Sequence, residues 1–403
     1  MMMLARRIRL LPALLLMAAA STASADDWPQ WRGPSRNGIS AEKAQPWSAT
    51  AWTAEVGLGF SSMVVAKGRV VTLGHANDND TVYCLDTEKG SVLWKHSYES
   101  EIGNNFFEGG TTHTPTIDGD RVYTVGRWGD AFCFDLATGK VLWSAQLQKD
   151  LGFPAPTWGF GGSPLVHGDL LILNVGDAGL ALEKNTGKVV WKSSAQECAY
   201  STPLPVGQGD DALVLMGSSK SYVAVKARTG AEAWRVKWVT QYGVNAADPI
   251  VDGDRMFVST GYNKGGALYK LGKGEPELVW QNRLLRCQMN PPVLIGGHLY
   301  GVDGDNTDKA GTHLKCVEFA TGTEKWSQPI AGSGSVTAAG GDLVVLSGAG
   351  ELILAPASPE GFKPTHRTKV ADGKWWTVPV IANGRLYCRN AAGQVVCLDA
   401  PKR

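Results

Sequence analysis

The side chains best equipped for chemistry in this sequence gather in six irregular stretches between apolar runs. They are IGNNFFEGGTTHT (102–114), GFPAPTWGFGGS (152–163), SAQECAYST (194–202), VTQYGVNAAD (239–248), RLLRCQMNP (283–291) and ADGKWWTV (371–378). Together they offer Asn104, Asn105, His113, Trp158, Tyr200, Tyr242, Asn245, Asp248, Arg286, Gln288, Asn290, Trp375 and Trp376. Aromatic surfaces beside a few amides and charges hold a planar molecule, a sugar or a peptide: rings cover the flat face and polar groups fix its orientation. The chain has no G-x-S-x-G, no H-E-x-x-H and no glycine-rich phosphate loop between a strand and a helix, so no catalytic residue is assigned. His113 lacks a Cys, His or carboxylate at metal-ligand spacing and is expected to be a hydrogen-bonded channel residue.

A weak metal candidate lies in GVDGDNTDKAG (301–311), where Asp303, Asp305, Asn306 and Asp308 present oxygens close together in sequence. The bidentate Glu of a calcium loop is missing, because Leu314 stands where it would fall; a solvated hairpin is the alternative. Of seven cysteines, Cys84, Cys133, Cys316 and Cys397 share one repeat position and are expected as separate small buried side chains. Cys198, Cys287 and Cys388 leave room for one bridge that nothing in the sequence selects.

These loops need a scaffold, and the scaffold is a repeat. CLDTEKGSVLW (84–94), CFDLATGKVLW (133–143), ALEKNTGKVVW (181–191), AVKARTGAEAW (224–234) and CVEFATGTEKW (316–326) each end one strand, turn through Gly and close on Trp. Trp94, Trp143, Trp191, Trp234, Trp280 and Trp326 follow one another at 49, 48, 43, 46 and 46 residues. In phase with them runs an apolar strand, a Gly-containing turn and a second apolar strand, as in TPTIDGDRVYTV (114–125) and VPVIANGRLYCR (378–389). Eight copies of four strands at this period predict an all-β, eight-bladed propeller of antiparallel blades. The last copy stops after its third strand. Trp52 lies 42 residues before Trp94, so residues 51–56 are expected to supply the missing outer strand and close the ring.

Alternating strand direction puts the connections between blades on one face, together with the hairpins joining second and third strands. The opposite face holds short uniform turns such as DGD and ATGK. Variable loops on a rigid frame carry function, which points to the loop-rich face. Trp158, Trp375 and Trp376 fall outside the Trp repeat, so they either form a site there or pack the funnel wall.

The A/C-x-D/E-x-x-T-G-x-x-x-W phrase resembles the tryptophan-docking motif of the pyrroloquinoline-quinone (PQQ) repeat family, and the likeness spans residues 52–400. That family joins quinoprotein alcohol dehydrogenases to non-enzymatic relatives, among them a periplasmic propeller lipoprotein of the outer-membrane β-barrel assembly machine. WPQWRGPSRNGIS (28–40) is similar to an N-terminal signature of secreted members and is read as an ordered cap. The resemblance implies a PQQ and calcium site in the dehydrogenases, with two adjacent cysteines against the quinone. No adjacent cysteines, calcium ligand set or C-x-x-C-H haem site can be placed here.

Arg6, Arg7 and Arg9, the apolar run from Leu10 to Ala20 and the Ala23-Ser24-Ala25 site form a secretory leader, too short to span a bilayer. The expected layout is a leader at 1–25, a cap at 26–50 and a propeller at 51–403. Loss of three of the 39 basic residues leaves 36 against 38 acidic, which gives no electrostatic pull toward nucleic acid. The sequence thus predicts an exported monomer, periplasmic or extracellular. Its first reading is a non-catalytic binding or scaffold propeller with no assured cofactor, taking a protein, small-molecule or carbohydrate ligand on the loop-rich face. The alternatives are a PQQ- and calcium-dependent oxidoreductase and a carbohydrate-binding module.

Overall fold

The computed structural model describes residues 26–104, 106–304 and 311–401. They form eight sheets arranged as a closed ring, seven of four antiparallel strands and one of five. Blade I runs from the strand Val64–Ala66 to Val92–Glu99, blade II from Thr116–Asp118 to Val141–Gln146, and blade III from Leu165–His167 to Val189–Lys192. Blade IV spans Leu204–Val206 to Glu232–Lys237, blade V Ile250–Asp252 to Glu277–Asn282, and blade VI Val293–Ile295 to Glu324–Ile330. Blade VII runs from Ser335–Ala339 to His366–Lys369, and blade VIII from Val380–Ala382 to Gln394–Asp399. The described helices are two short 3-10 turns, Gly209–Asp211 and Gln241–Gly243. No helix among the described residues is long and apolar enough to cross a membrane.

The repeated phrase has a local cause at every letter. In blade II, Asp135 Oδ1 accepts bonds from Thr138 N and from Thr138 Oγ1, which closes the turn between third and fourth strands. Gly139 follows at φ +72°, and a methyl there would come within 2.6 Å of the Trp94 ring of blade I. The same indole donates to Leu136 O at 2.9 Å. Trp52, Trp143, Trp191, Trp280 and Trp326 make the equivalent bond to a carbonyl of the following blade. Six of the eight junctions between blades are therefore pinned by one such indole bond.

The cysteines belong to this device. Cys84, Cys133, Cys316 and Cys397 sit directly across the ladder from Trp94, Trp143, Trp326 and Trp52, where a small side chain leaves room for the indole. Ala181 and Ala224 do the same opposite Trp191 and Trp234. All seven cysteines are buried and free, so no bridge joins Cys198, Cys287 and Cys388. Burial pushes the Cys198 and Cys287 thiols up to about 12, which keeps them protonated and unreactive.

The apolar core is divided into eight clusters, and each straddles two neighbouring blades. The junction between blades VIII and I is one of them, with Trp52 and Tyr387 packed beside Val70 and Leu85. Closure comes from Ala49–Glu55, which pairs antiparallel with Gln394–Asp399 as the outer strand of blade VIII. The chain therefore belongs to no open-edged sheet stack, and the anticipated circle is present.

Residues before that strand thread the central channel. Trp28 bridges to Val65 of blade I, Pro29 O accepts from Ile117 N of blade II, and Arg36 Nη2 reaches Val166 O of blade III. Arg32 Nη2 bonds Pro292 O at the entry to blade VI, and Ile39–Ser40 adds a parallel fifth strand inside blade VII. Trp47, fully buried, donates to Gly384 O in a turn of blade VIII. The anticipated cap is thus a plug that lies against the inner strands of most of the ring.

Candidate functional site

The plug turns the channel into a blind funnel of about 750 Å³ that opens on the loop-rich face. Trp31 forms part of its floor. The Trp31 indole donates to Asp248 Oδ2 at 2.5 Å, and Thr202 N donates to Asp248 Oδ1 at 2.7 Å. Asp248 is 7% exposed, and burial lifts its carboxyl above the usual range, while the nearby Arg32 guanidinium opposes the lift. Arg32 is itself buried, and its pKa falls to about 10 through desolvation, so it stays charged.

Two aromatic walls rise from this floor. On one side Phe60, Phe107 and Trp376 pack together, with Phe60 stacked on Trp376 at 5.1 Å and tilted against Phe107 at 5.6 Å. Lys374 Nζ sits 4.4 Å above the Trp376 ring and pairs with Glu108. On the other side Trp158 meets Tyr200 edge-on at 5.8 Å and Tyr242 at 6.5 Å, and Tyr242 meets Tyr262 at 5.4 Å.

Two buried arginines hold the loops that carry the first wall. Arg389 donates to Ser61 O and Gly57 O, on either side of Phe60. Arg127 donates to Gly110 O and lies 4.7 Å from the Phe107 ring centre. Neither has a carboxylate bonded to it among the described residues. Desolvation lowers Arg127 to about 10 and Arg389 to about 9. Their role is mechanical: they satisfy loop carbonyls that no strand ladder reaches.

The structure distributes the anticipated residues unevenly. Trp158, Tyr200, Asp248, Gln288, Asn290 and Trp376 line the funnel. Tyr242 stands at the rim, 63% exposed, with a left-handed backbone at φ 68°. Trp375 corrects an expectation: it is fully buried against Leu346, Leu352 and Cys388, one residue from a funnel wall. The pair lies in a connection with no strand, and the backbone there sends one indole into the core and the other to the cavity. Asn245 is likewise buried, and its amide holds Ser218 O and Trp238 O instead of a ligand. His113 is buried too. Neither of its ring nitrogens has a protein partner, which corrects the expectation of a hydrogen-bonded channel residue, and burial pushes its pKa down to about 3.

Arg286 points away from the funnel and grips Asp303 through Nε at 3.0 Å and Nη2 at 2.8 Å. Asp303, 1% exposed, also pairs with Lys315 at 3.2 Å. Burial alone would raise its carboxyl, but the Arg286 bonds hold it below the ordinary value. Both of its oxygens are engaged by Arg286 and Lys315. Asn105, Asp305, Asn306 and Asp308 lie outside the described residues, and Asn104 is exposed away from the funnel lining. Among the described residues no three His, Cys, Asp or Glu side chains gather to hold a metal.

Phe60, Phe106, Phe107, Tyr262, Lys374 and Thr377 also line the cavity, and sequence alone does not single them out. Phe106 and Phe107 sit in a loop whose amides attract attention first. A phenylalanine pair flanked by Gly and Asn in an exposed connection was the available signal, since such residues have no core to enter.

An eight-bladed ring with a plugged channel and an aromatic mouth defines the class. The chain belongs to the family described as outer membrane protein assembly factor BamB, whose model matches residues 78–328 and 309–402. In fold it is similar to BamB from Moraxella catarrhalis, at 17% identity and TM-score 0.64, covering 87% of this chain and 99% of that one. It is similar to the quinohemoprotein alcohol dehydrogenase from Comamonas testosteroni, at 14% identity and TM-score 0.68, covering 95% and 82%. A europium-containing methanol dehydrogenase follows at 12% identity and TM-score 0.64, covering 92% and 89%. No curated protein matches the sequence.

Proposed function

We propose that this chain is an exported, non-catalytic binding propeller that takes its ligand or partner segment into the blind funnel. The observation that carries the reading is the funnel itself: two aromatic walls over one buried carboxylate, closed below by the plug. Rings bury the apolar face of a guest, and Asp248, Gln288 and Asn290 offer a few directed polar contacts. Family membership is consistent with a scaffold that engages other proteins, and the leader at residues 1–25 supports delivery to the periplasm or the medium. The guest is a peptide segment or a small polar molecule; a carbohydrate is the second reading, favoured by ring platforms beside a carboxylate and two amides.

A PQQ and calcium site fits less well. All seven cysteines are free and no two are adjacent in sequence, so nothing here stands in for the adjacent pair against the quinone. Asp248 is held by an indole and a backbone N–H, and Glu108 is neutralised by Lys374, which leaves few oxygens for a divalent cation. No step is built on that group.

The test uses the purified chain from Asp26 onward. Indole fluorescence is followed while peptides, oligosaccharides, and PQQ with calcium are titrated separately, and dye-linked alcohol oxidation is assayed in the last case. Saturable quenching by a peptide or a sugar, lost in Trp376→Ala, supports the proposal. Stoichiometric PQQ binding with turnover sinks it.

A further inference from the structure

Glu42 is a buried carboxylate with no cation. It is 6% exposed, and its oxygens accept Asn383 N and Gly384 N at 2.7 Å each. No Lys, Arg or His is paired with it among the described residues. A carboxylate placed in such a site is costly unless a positive charge accompanies it. The remaining polar neighbour is Asp26 N, 3.2 Å from Glu42 Oε1. Asp26 is also the residue that follows Ala23-Ser24-Ala25.

We infer that Glu42 is the receptor for the α-ammonium group created when the leader is cut after Ala25. Hydrolysis breaks the Ala25–Asp26 peptide bond; water gives its hydroxyl to the Ala25 carboxylate, and the freed Asp26 nitrogen becomes an ammonium at neutral pH. That charge arises within bonding distance of a buried carboxylate that has no paired cation among the described residues. The adjoining residue is already seated, since Asp27 accepts Lys67 N and Asn383 Nδ2 at 3.3 Å each. Cutting thus converts a neutral N–H contact into a charge-assisted bond at the start of the plug. Because Trp31 of that plug bonds Asp248, processing and completion of the funnel floor are linked. The inference needs the leader to be removed but is independent of what the funnel binds.

The experiment has two arms. Mass spectrometry of the exported protein reads its first residue, which must be Asp26. Then the chain beginning at Asp26 is compared with one that retains Ser24 and Ala25, each with native Glu42 and with Glu42→Gln. Amide hydrogen exchange over residues 27–48 should be roughly tenfold slower in the Asp26 chain, from a charged hydrogen bond worth about 1.5 kcal/mol or more. In Glu42→Gln that difference should vanish, because the receptor charge is gone. The two-residue extension leaves Glu42 untouched, so its result stands even if Glu42→Gln folds poorly. Equal exchange and equal melting temperatures in the two native-Glu42 chains, or a first residue other than Asp26, would overturn the inference.

Discussion

On the turn side of the disc, Trp52, Trp94, Trp143 and Trp191 each rest on a glycine of the next blade and bond a carbonyl there. On the loop side, Trp158 and Trp376 border open space, meeting rings of other loops at the edge of a cavity. The same residue type therefore serves two ends. In the first setting its surroundings repeat at fixed register and every indole is satisfied. In the second, the aromatics come from several unlike loops and border the cavity. Periodic placement marks framework; aperiodic placement on connections marks a surface held ready for something else.

The sharpest way to break that comparison lies within two adjacent residues. Trp375→Ala should cost about 3–5 kcal/mol, the range for emptying a large aromatic from a core, measured as a shift in the urea midpoint. Trp376→Ala, one position along, should cost under about 1 kcal/mol yet abolish most ligand binding. Equal stability losses would mean that the funnel wall is ordinary core.

The loop side should also be the acid-sensitive side. His113 is neutral in the fold, with its pKa pushed to about 3 by burial, whereas an unfolded histidine titrates near about 6.5. The unfolded chain therefore gains a proton that the fold refuses. Stability is complete above about pH 6.5 and is lost progressively as pH falls toward about 3, by a few kcal/mol. Unfolding midpoints between pH 8 and 4 test this, and His113→Gln should flatten that part of the curve.

On the turn side, Gly90→Ala places a methyl 2.4 Å from the Trp52 ring at φ +66°, and should cost about 2–3 kcal/mol. Gly152→Ala, in a loop with open space and φ +78°, should cost only about 1 kcal/mol, the backbone penalty alone. Melting temperatures of the pair separate the packing cost from the backbone cost. The smallest effect belongs to Lys374→Ala at the mouth. It should leave the melting temperature within a degree or two while weakening a guest that relies on the charge above Trp376.

Much of the frame was legible because its causes are local and recur. Asp, Thr, Gly and Trp at fixed offsets report one turn and one indole contact, and Trp52 one period upstream reports closure. The site was legible only in outline. A loop's position follows from strand count, but which side chain faces inward depends on backbone details that leave no periodic trace, as Trp375 and Trp376 illustrate. Asn245, rich in hydrogen-bonding capacity, went to its own loop. The route of residues 26–48 through the channel was hidden for another reason: its contacts are one or a few bonds to each of several blades, with no strand long enough to read.

The closing strand sets an order of events during synthesis. Ala49 pairs with Asp399, a separation of 350 positions, so the first-made partner must wait for nearly the last. Until then blade VIII lacks its outer strand and the junction with blade I lacks Trp52. A contact between such distant positions makes closure slow, because the entropy of joining the ends precedes the reward. The ring is completed only once both ends of the chain are present.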